Sequence, residues 1–302
     1  MTDARPVSVQ VWSSSAGRVR VLRTLADTWR EMIQYRHLLY QLTMRDIRIR
    51  YKQAVMGFGW AILLPILIVL SGIIVRYAMS YLSGTALATD VIAGLAIKAI
   101  PWAFFVGAIQ FSSGVLIANQ NLVTKIYFPR EVLPIASVLA QVFDSAIGGI
   151  AVVVVLPLLG VTYGWTALWL LPLMACLLVF TLGLSLLLSA ANLFFRDVKY
   201  IVRVVLTFGI FFTPVFFEPE MFGSTGAQWM MLNPLAPILE GLRLAVIEGH
   251  NLFQTLTISG AGAEVLVWSP WYLVYVFALT LFGTAATAVL FHRLEFLFAE
   301  YI

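Results

Sequence analysis

Three ionisable residues stand within long apolar stretches of this 302-residue chain: Arg76, Lys98 and Asp144. A charge inside a bilayer core costs about 3 kcal/mol or more, so such residues pair or serve a function. At 1.5 Å per helical residue, Lys98 lies about 10 Å below one face of a core about 30 Å thick, and Asp144 about 18 Å from the other. The two are therefore expected at one level and paired, with Arg76 nearby, as either a structural ion pair or a substrate contact. Other chemistry is missing. The four lysines follow Tyr51, Ile97, Thr124 and Val198, so no Gly-Lys step exists and no P-loop can form. His37, His250 and His292 are too scattered for a metal or catalytic cluster, and neither a nucleophile elbow nor a paired acidic motif is present. The single cysteine, Cys176, falls in an apolar run and is expected to pack in a helix. Neither catalysis nor metal binding is expected, and a transporter so equipped must use an ion gradient or borrow a motor.

The elements that position these residues follow from composition. Hydrophobic residues make up 61% of the chain and charged residues 11%, against roughly 25% charged in soluble domains. A core of this size cannot absorb so much apolar surface, which leaves lipid as the solvent. Residues 1–17 contain no apolar run of the kind a cleaved signal needs. The pattern predicts an all-α integral membrane protein with six transmembrane helices at 59–82, 91–117, 132–159, 165–192, 200–217 and 265–292, together forming a domain over 57–302. Ten basic residues (Arg5, Arg18, Arg20, Arg23, Arg30, Arg36, Arg45, Arg48, Arg50, Lys52) precede the first span. Lys125, Arg130, Arg196, Lys199, Arg203 and Arg293 fall in alternate connections, so 16 of the 19 lysines and arginines share a face if both termini are inside. That is the expected cytoplasmic bias, and Tyr77, Tyr81, Trp165, Trp169, Trp268, Trp271 and Tyr272 then mark the outer interface.

Three segments do not span. After a tail at 1–18, residues 19–56 repeat apolar residues at helical spacing among arginines, which predicts amphipathic helices on the inner surface. Such an arm is either an anchor alone or also a docking surface for a cytoplasmic partner. Residues 119–130 predict a short amphipathic helix stopped by Pro129, either transmitting force from a soluble motor or passively connecting two spans. Residues 218–262 hold apolar pieces broken by Pro219, Pro234, Pro237, Gly241, Gly249 and Gly260. Irregular backbone at membrane depth must be buried in protein or line a wet cavity, so these are read as two short re-entrant outer helices, with a folded external loop as the alternative.

Four stretches carry a family resemblance: RYKQAVMGFGWAILLPI (Arg50–Ile66), NLVTKIYFPREVLPIA (Asn121–Ala136), NLFFRDVKYIVRVVLTFGIFFTPVFF (Asn192–Phe217) and NPLAPILEGLRLAV (Asn233–Val246). In that order they resemble the permease subunits of ABC exporters of polysaccharides and polyol phosphates, which move O-antigen, capsule or teichoic acid. The resemblance implies a homodimer in the inner (cytoplasmic) membrane, both termini cytoplasmic, joined by two copies of a cytoplasmic ATPase. That partner would bind the ATP and Mg, so this chain would hold no cofactor and would be no enzyme. The substrate would be lipid-linked polysaccharide among membrane lipids, with no nucleic acid. Residues 119–130 become the coupling helix, with Lys125, Tyr127, Phe128, Pro129, Arg130 and Glu131 on the ATPase, Arg196 and Asp197 nearby, and Arg45, Arg48, Arg50, Tyr51 and Lys52 on the interface helix. Trp60, Trp102, Phe104, Phe105, Phe111, Phe211, Phe212, Phe216 and Phe217 become candidates for an aromatic channel wall.

Alternatives remain at this stage. A capsule, teichoic acid, lipo-oligosaccharide, drug or small-lipid exporter of the same superfamily would share the fold. An ion-coupled secondary transporter should show an internal repeat and several mid-membrane acids, and a membrane glycosyltransferase should show its acidic motif.

Overall fold

A computed structural model describes residues 30, 32–52, 57, 59–84, 86, 88–125, 128–260 and 263–298. The tail at 1–18, the first part of the amphipathic arm and Tyr127 lie outside them. Helix α1 (Arg36–Tyr51) carries the basic arm, followed by α2 (Gly59–Ser83) and α3 (Thr89–Ser113). Two short helices, α4 (Val115–Ala118) and α5 (Gln120–Lys125), lead to α6 (Val132–Val155). Then come α7 (Leu170–Phe194), α8 (Val198–Gly209), α9 (Gly223–Met231), α10 (Leu235–Val246), an antiparallel hairpin of β1 (Leu256–Gly260) and β2 (Ala263–Trp268), and α11 (Trp271–Leu294).

Among the described residues, five helical stretches are long and apolar enough to cross a membrane: Gly59–Ser83, Thr89–Ser113, Val132–Leu159, Trp165–Phe194 and Pro270–Leu297. The expected crossing at 200–217 takes another form. Its α-helix, α8, has 12 residues and continues as a 3-10 turn over Ile210–Phe212, together about 24 Å of rise. The last crossing starts at Trp271 rather than 265, because Val265–Trp268 belong to β2.

Helix α3 is the hub. Ala93, Ala99 and Ala108 are fully buried on it, and such small residues let neighbouring backbones close in where lipid gives no hydrophobic push between helices. It packs against α2, α6, α7, α8 and α10. By contrast α2 turns Leu67, Ile74 and Tyr77 outward, as a lipid-facing helix must. All twelve residues of α10 are buried, so this short helix is an inner element although it spans nothing. The hairpin closes over it: Trp268 is fully buried and its indole N–H donates to the Leu252 carbonyl at 2.9 Å. Cys176 packs inside α7, its Sγ 3.3 Å from Thr280 Oγ1. A separate apolar cluster joins Leu42 of α1, Val123 of α5, Phe128, Leu133, Leu193, Phe291 and Phe298. It gathers α1, α5, the start of α6 and the ends of α7 and α11 at one end of the bundle, the basic end, with the β-hairpin at the other.

Candidate functional site

A cavity of about 660 Å³ opens between the end of α1 and helices α2, α3 and α6. Its walls combine rings (Trp60, Trp102, Phe111) with amides and charges (Gln110, Gln141, Arg50, Asp144). The polar pole is built by α1. Arg50 Nη1 donates to Asp144 Oδ2 at 2.6 Å and to Gln141 Oε1 at 2.7 Å. The Tyr51 hydroxyl donates to the other Asp144 oxygen at 2.5 Å, and Phe111 places its ring 3.9 Å from the guanidinium carbon. Burial, and then the bond to Asp144, hold the Tyr51 phenol protonated, well above its ordinary range. Gly107 of α3 makes room for Gln141: a Cβ there would lie 2.6 Å from the amide carbon.

Asp144 therefore does not pair with Lys98. Lys98 lies 3.9 Å from Glu240 on α10, and Arg76 bonds Glu218 at 2.7 Å. Counting residues gives depth along a helix but not the direction a side chain faces. Lys98 faces α10, in the region expected to re-enter from the outer side. Around Arg243 a second charged group forms: its Nε donates to Glu240 at 2.7 Å, its Nη2 lies 3.4 Å from Glu220, and it also bonds Glu248. Burial pulls Arg243 down, but the Glu240 charge and hydrogen bond outweigh it and hold the guanidinium above its ordinary value. Burial first, and Glu240 second, push the Glu220 carboxyl up to about 7.

The expected docking residues divide by exposure. Lys125 at the end of α5, and Arg196 and Asp197 before α8, are exposed at the basic end, as are Arg48 and Lys52, while Arg45 is half-buried. Phe128 and Glu131 are buried and turn inward. Arg130 donates to the carbonyl of Glu295, just past α11, and Glu131 lies 3.4 Å from His292 Nδ1. Glu131, His292 and Glu295 bring ligand-type atoms within 4.8 Å of one another, a grouping the spacing of the histidines gave no reason to expect. The aromatic candidates divide too. Trp102, Phe104, Phe105 and Phe216 are buried, Phe217 is half-buried, and Trp60, Phe111, Phe211 and Phe212 are exposed. Trp102 also lines a second, apolar cavity of about 500 Å³ with Phe105, Phe208 and Phe212, so one indole stands between the two spaces.

Long apolar helices around a buried hub, with a ring-lined cavity beside the end of α1, define a multi-pass membrane protein. The chain belongs to the ABC-2 type transporter family, whose model matches residues 37–247. It is similar to an O-antigen export system permease protein RfbA of Myxococcus xanthus, 30% identical over 251 residues that cover 80% of this chain and 92% of that one. An RfbA permease of Klebsiella pneumoniae is 26% identical over 264 residues, covering 87% of this chain and 94% of its own.

Proposed function

We propose that this chain is the membrane-embedded permease of an ATP-driven exporter that carries lipid-linked polysaccharide of the O-antigen kind out across the inner membrane. The observation that carries the reading is the likeness to O-antigen export permeases over nearly their whole length. No P-loop occurs in the sequence, so ATP is hydrolysed by a separate subunit. The exposed Lys125, Arg196 and Asp197 and the basic face of α1 present that subunit with a docking surface, both termini lying in the cytoplasm.

The active unit is a pair of permeases with a pair of ATPases. Supporting this, α8 leaves Ile201, Val204, Val205 and Phe208 exposed beside Phe211 and Phe212, an apolar face that a second copy covers. Helix α8 with its 3-10 continuation makes the sixth crossing, and α9 and α10 re-enter from the outer side beneath the hairpin. The ring-lined cavity opens toward the path of the glycan, where aromatic faces stack on sugars without trapping them. Reconstituting the chain with its ATPase tests the reading: glycolipid from cells with an inactive ATPase should stimulate hydrolysis. A chain that binds no ATPase, or a complex indifferent to that glycolipid, overturns it.

A further inference from the structure

Arg50 and Tyr51 are the last two residues of α1, and both end on Asp144, so its two carboxylate oxygens are committed to one end of one helix. Immediately afterwards the chain leaves helical geometry at Lys52 and passes Gly57, whose φ of 51° is a left-handed turn, before α2 begins at Gly59. Helix α1 is thus no rigid extension of α2. Its end is fixed instead to the middle of α6 through a carboxylate about 18 Å along that helix. The start of α6 is held separately, by the grip of Arg130 and Glu131 on the end of α11. Both cytoplasmic segments therefore converge on α6, one at its first turn and the other at Asp144.

An ion pair this well buried adds little net stability, because desolvating two charges consumes most of their attraction; its best-attested use is to set register or to switch between arrangements. The side chains of Arg50 and Asp144 are 15% and 12% exposed, and both line the cavity. Parting them leaves both charges facing a cavity that also holds Gln110 and Gln141 rather than lipid. The cost of separation is low enough for a motor to supply.

We propose, resting on the permease reading above, that Arg50 and Asp144 are a positioning pair through which displacement of α1 sets the opening of the cavity. Joined, they hold the guanidinium in the cavity wall, braced by Phe111 and Gln141. Parted by the ATPase cycle, they free α6 and widen the entrance.

The test uses the full chain in complex with its ATPase. In cells, R50D and D144R should each lower surface polysaccharide by about tenfold, one charged bond's worth, and R50D/D144R should recover to within about threefold of the wild type. Co-purification of the ATPase reports that each variant folds. Spin labels at Y40C and I150C, both at exposed positions, in a C176S background give the distance between α1 and α6. It should shift when ATP is added, and D144N should show the shifted distribution without ATP. Single variants that export normally, a swap no better than the worse single variant, or a distance unmoved by ATP would overturn the joint. Failure of the wild-type chain to export or to bind an ATPase would instead sink the permease reading itself.

Discussion

Gly183 of α7 and Thr284 of α11 bring these two helices so close that a Cβ on Gly183 would lie 2.6 Å from Thr284 Oγ1 and 2.8 Å from its Cα. Across the same gap the Thr284 hydroxyl donates to the Val179 carbonyl at 3.0 Å. Small residues that let backbones approach, with hydroxyls bonding across, hold membrane helices together. Gly183→Ala should therefore cost about 1–3 kcal/mol, the range for overpacking a filled site. Gly283→Ala, whose Cβ meets open space, should be neutral. Thermal unfolding in nanodiscs separates the two.

Glu240 is fully buried and serves two cations, Lys98 and Arg243. Glu240→Ala strands both, and breaking a buried pair from one side costs about 3–5 kcal/mol. The expected outcome is a large fall in folded yield, partly reversed in K98M/E240Q because one of the stranded charges is then gone. Size-exclusion profiles of the purified variants decide it.

The Glu220 carboxyl, pushed by burial and then Glu240 to about 7 from its ordinary 4.5, faces Glu240, Arg243 and Glu218. A carboxyl whose value is higher in the folded chain contributes stability that is full below the unfolded value and is lost as pH rises through the folded one. Melting temperature should therefore fall between about pH 5 and pH 8 in the wild type more than in Glu220→Gln, which stays neutral throughout. Equal pH profiles would remove Glu220 as the source.

Gly107→Ala places a methyl where the Gln141 amide sits and pushes that amide off Arg50. A hydrogen bond to a charged group is worth about 1.5–3 kcal/mol, so surface polysaccharide should drop by about tenfold. Gly149→Ala on α6, with open space around its Cβ, should export normally, as blots of surface polysaccharide will show.

Five of the long helices were legible because uninterrupted apolar length is the one property lipid demands. The gap between the spans expected at 132–159 and 165–192 was legible too, and Gly160 turns the chain there with a φ of 90° that suits glycine. The hairpin was not: Leu252–Ile258 and Val265–Trp268 are short apolar runs, and at that length periodicity cannot separate a strand from a piece of helix. The Arg50–Asp144 joint spans 94 residues, and no local pattern encodes a meeting across that distance. Its signal was present in halves, as a lone acid inside α6 and as an arginine opening the first family-like stretch. Lys98 stands out for its cost in lipid, but its partner lies on α10, expected as a short re-entrant outer helix whose facing residues no local pattern gives. The inward turn of Phe128 and Glu131 was equally hidden, because a polar-then-apolar loop looks alike whether it serves a partner or its own core.

The shortness of α8 has a consequence for the surrounding lipid. At about 24 Å of rise, it falls short of a hydrocarbon layer of about 30 Å. As the proposed sixth crossing, it keeps its ends solvated only if the two leaflets draw together along that wall or if a neighbouring subunit screens them. On that proposal the protein should sit most comfortably in membranes of short acyl chains, and thicker ones should press the proposed pair of permeases into tighter association.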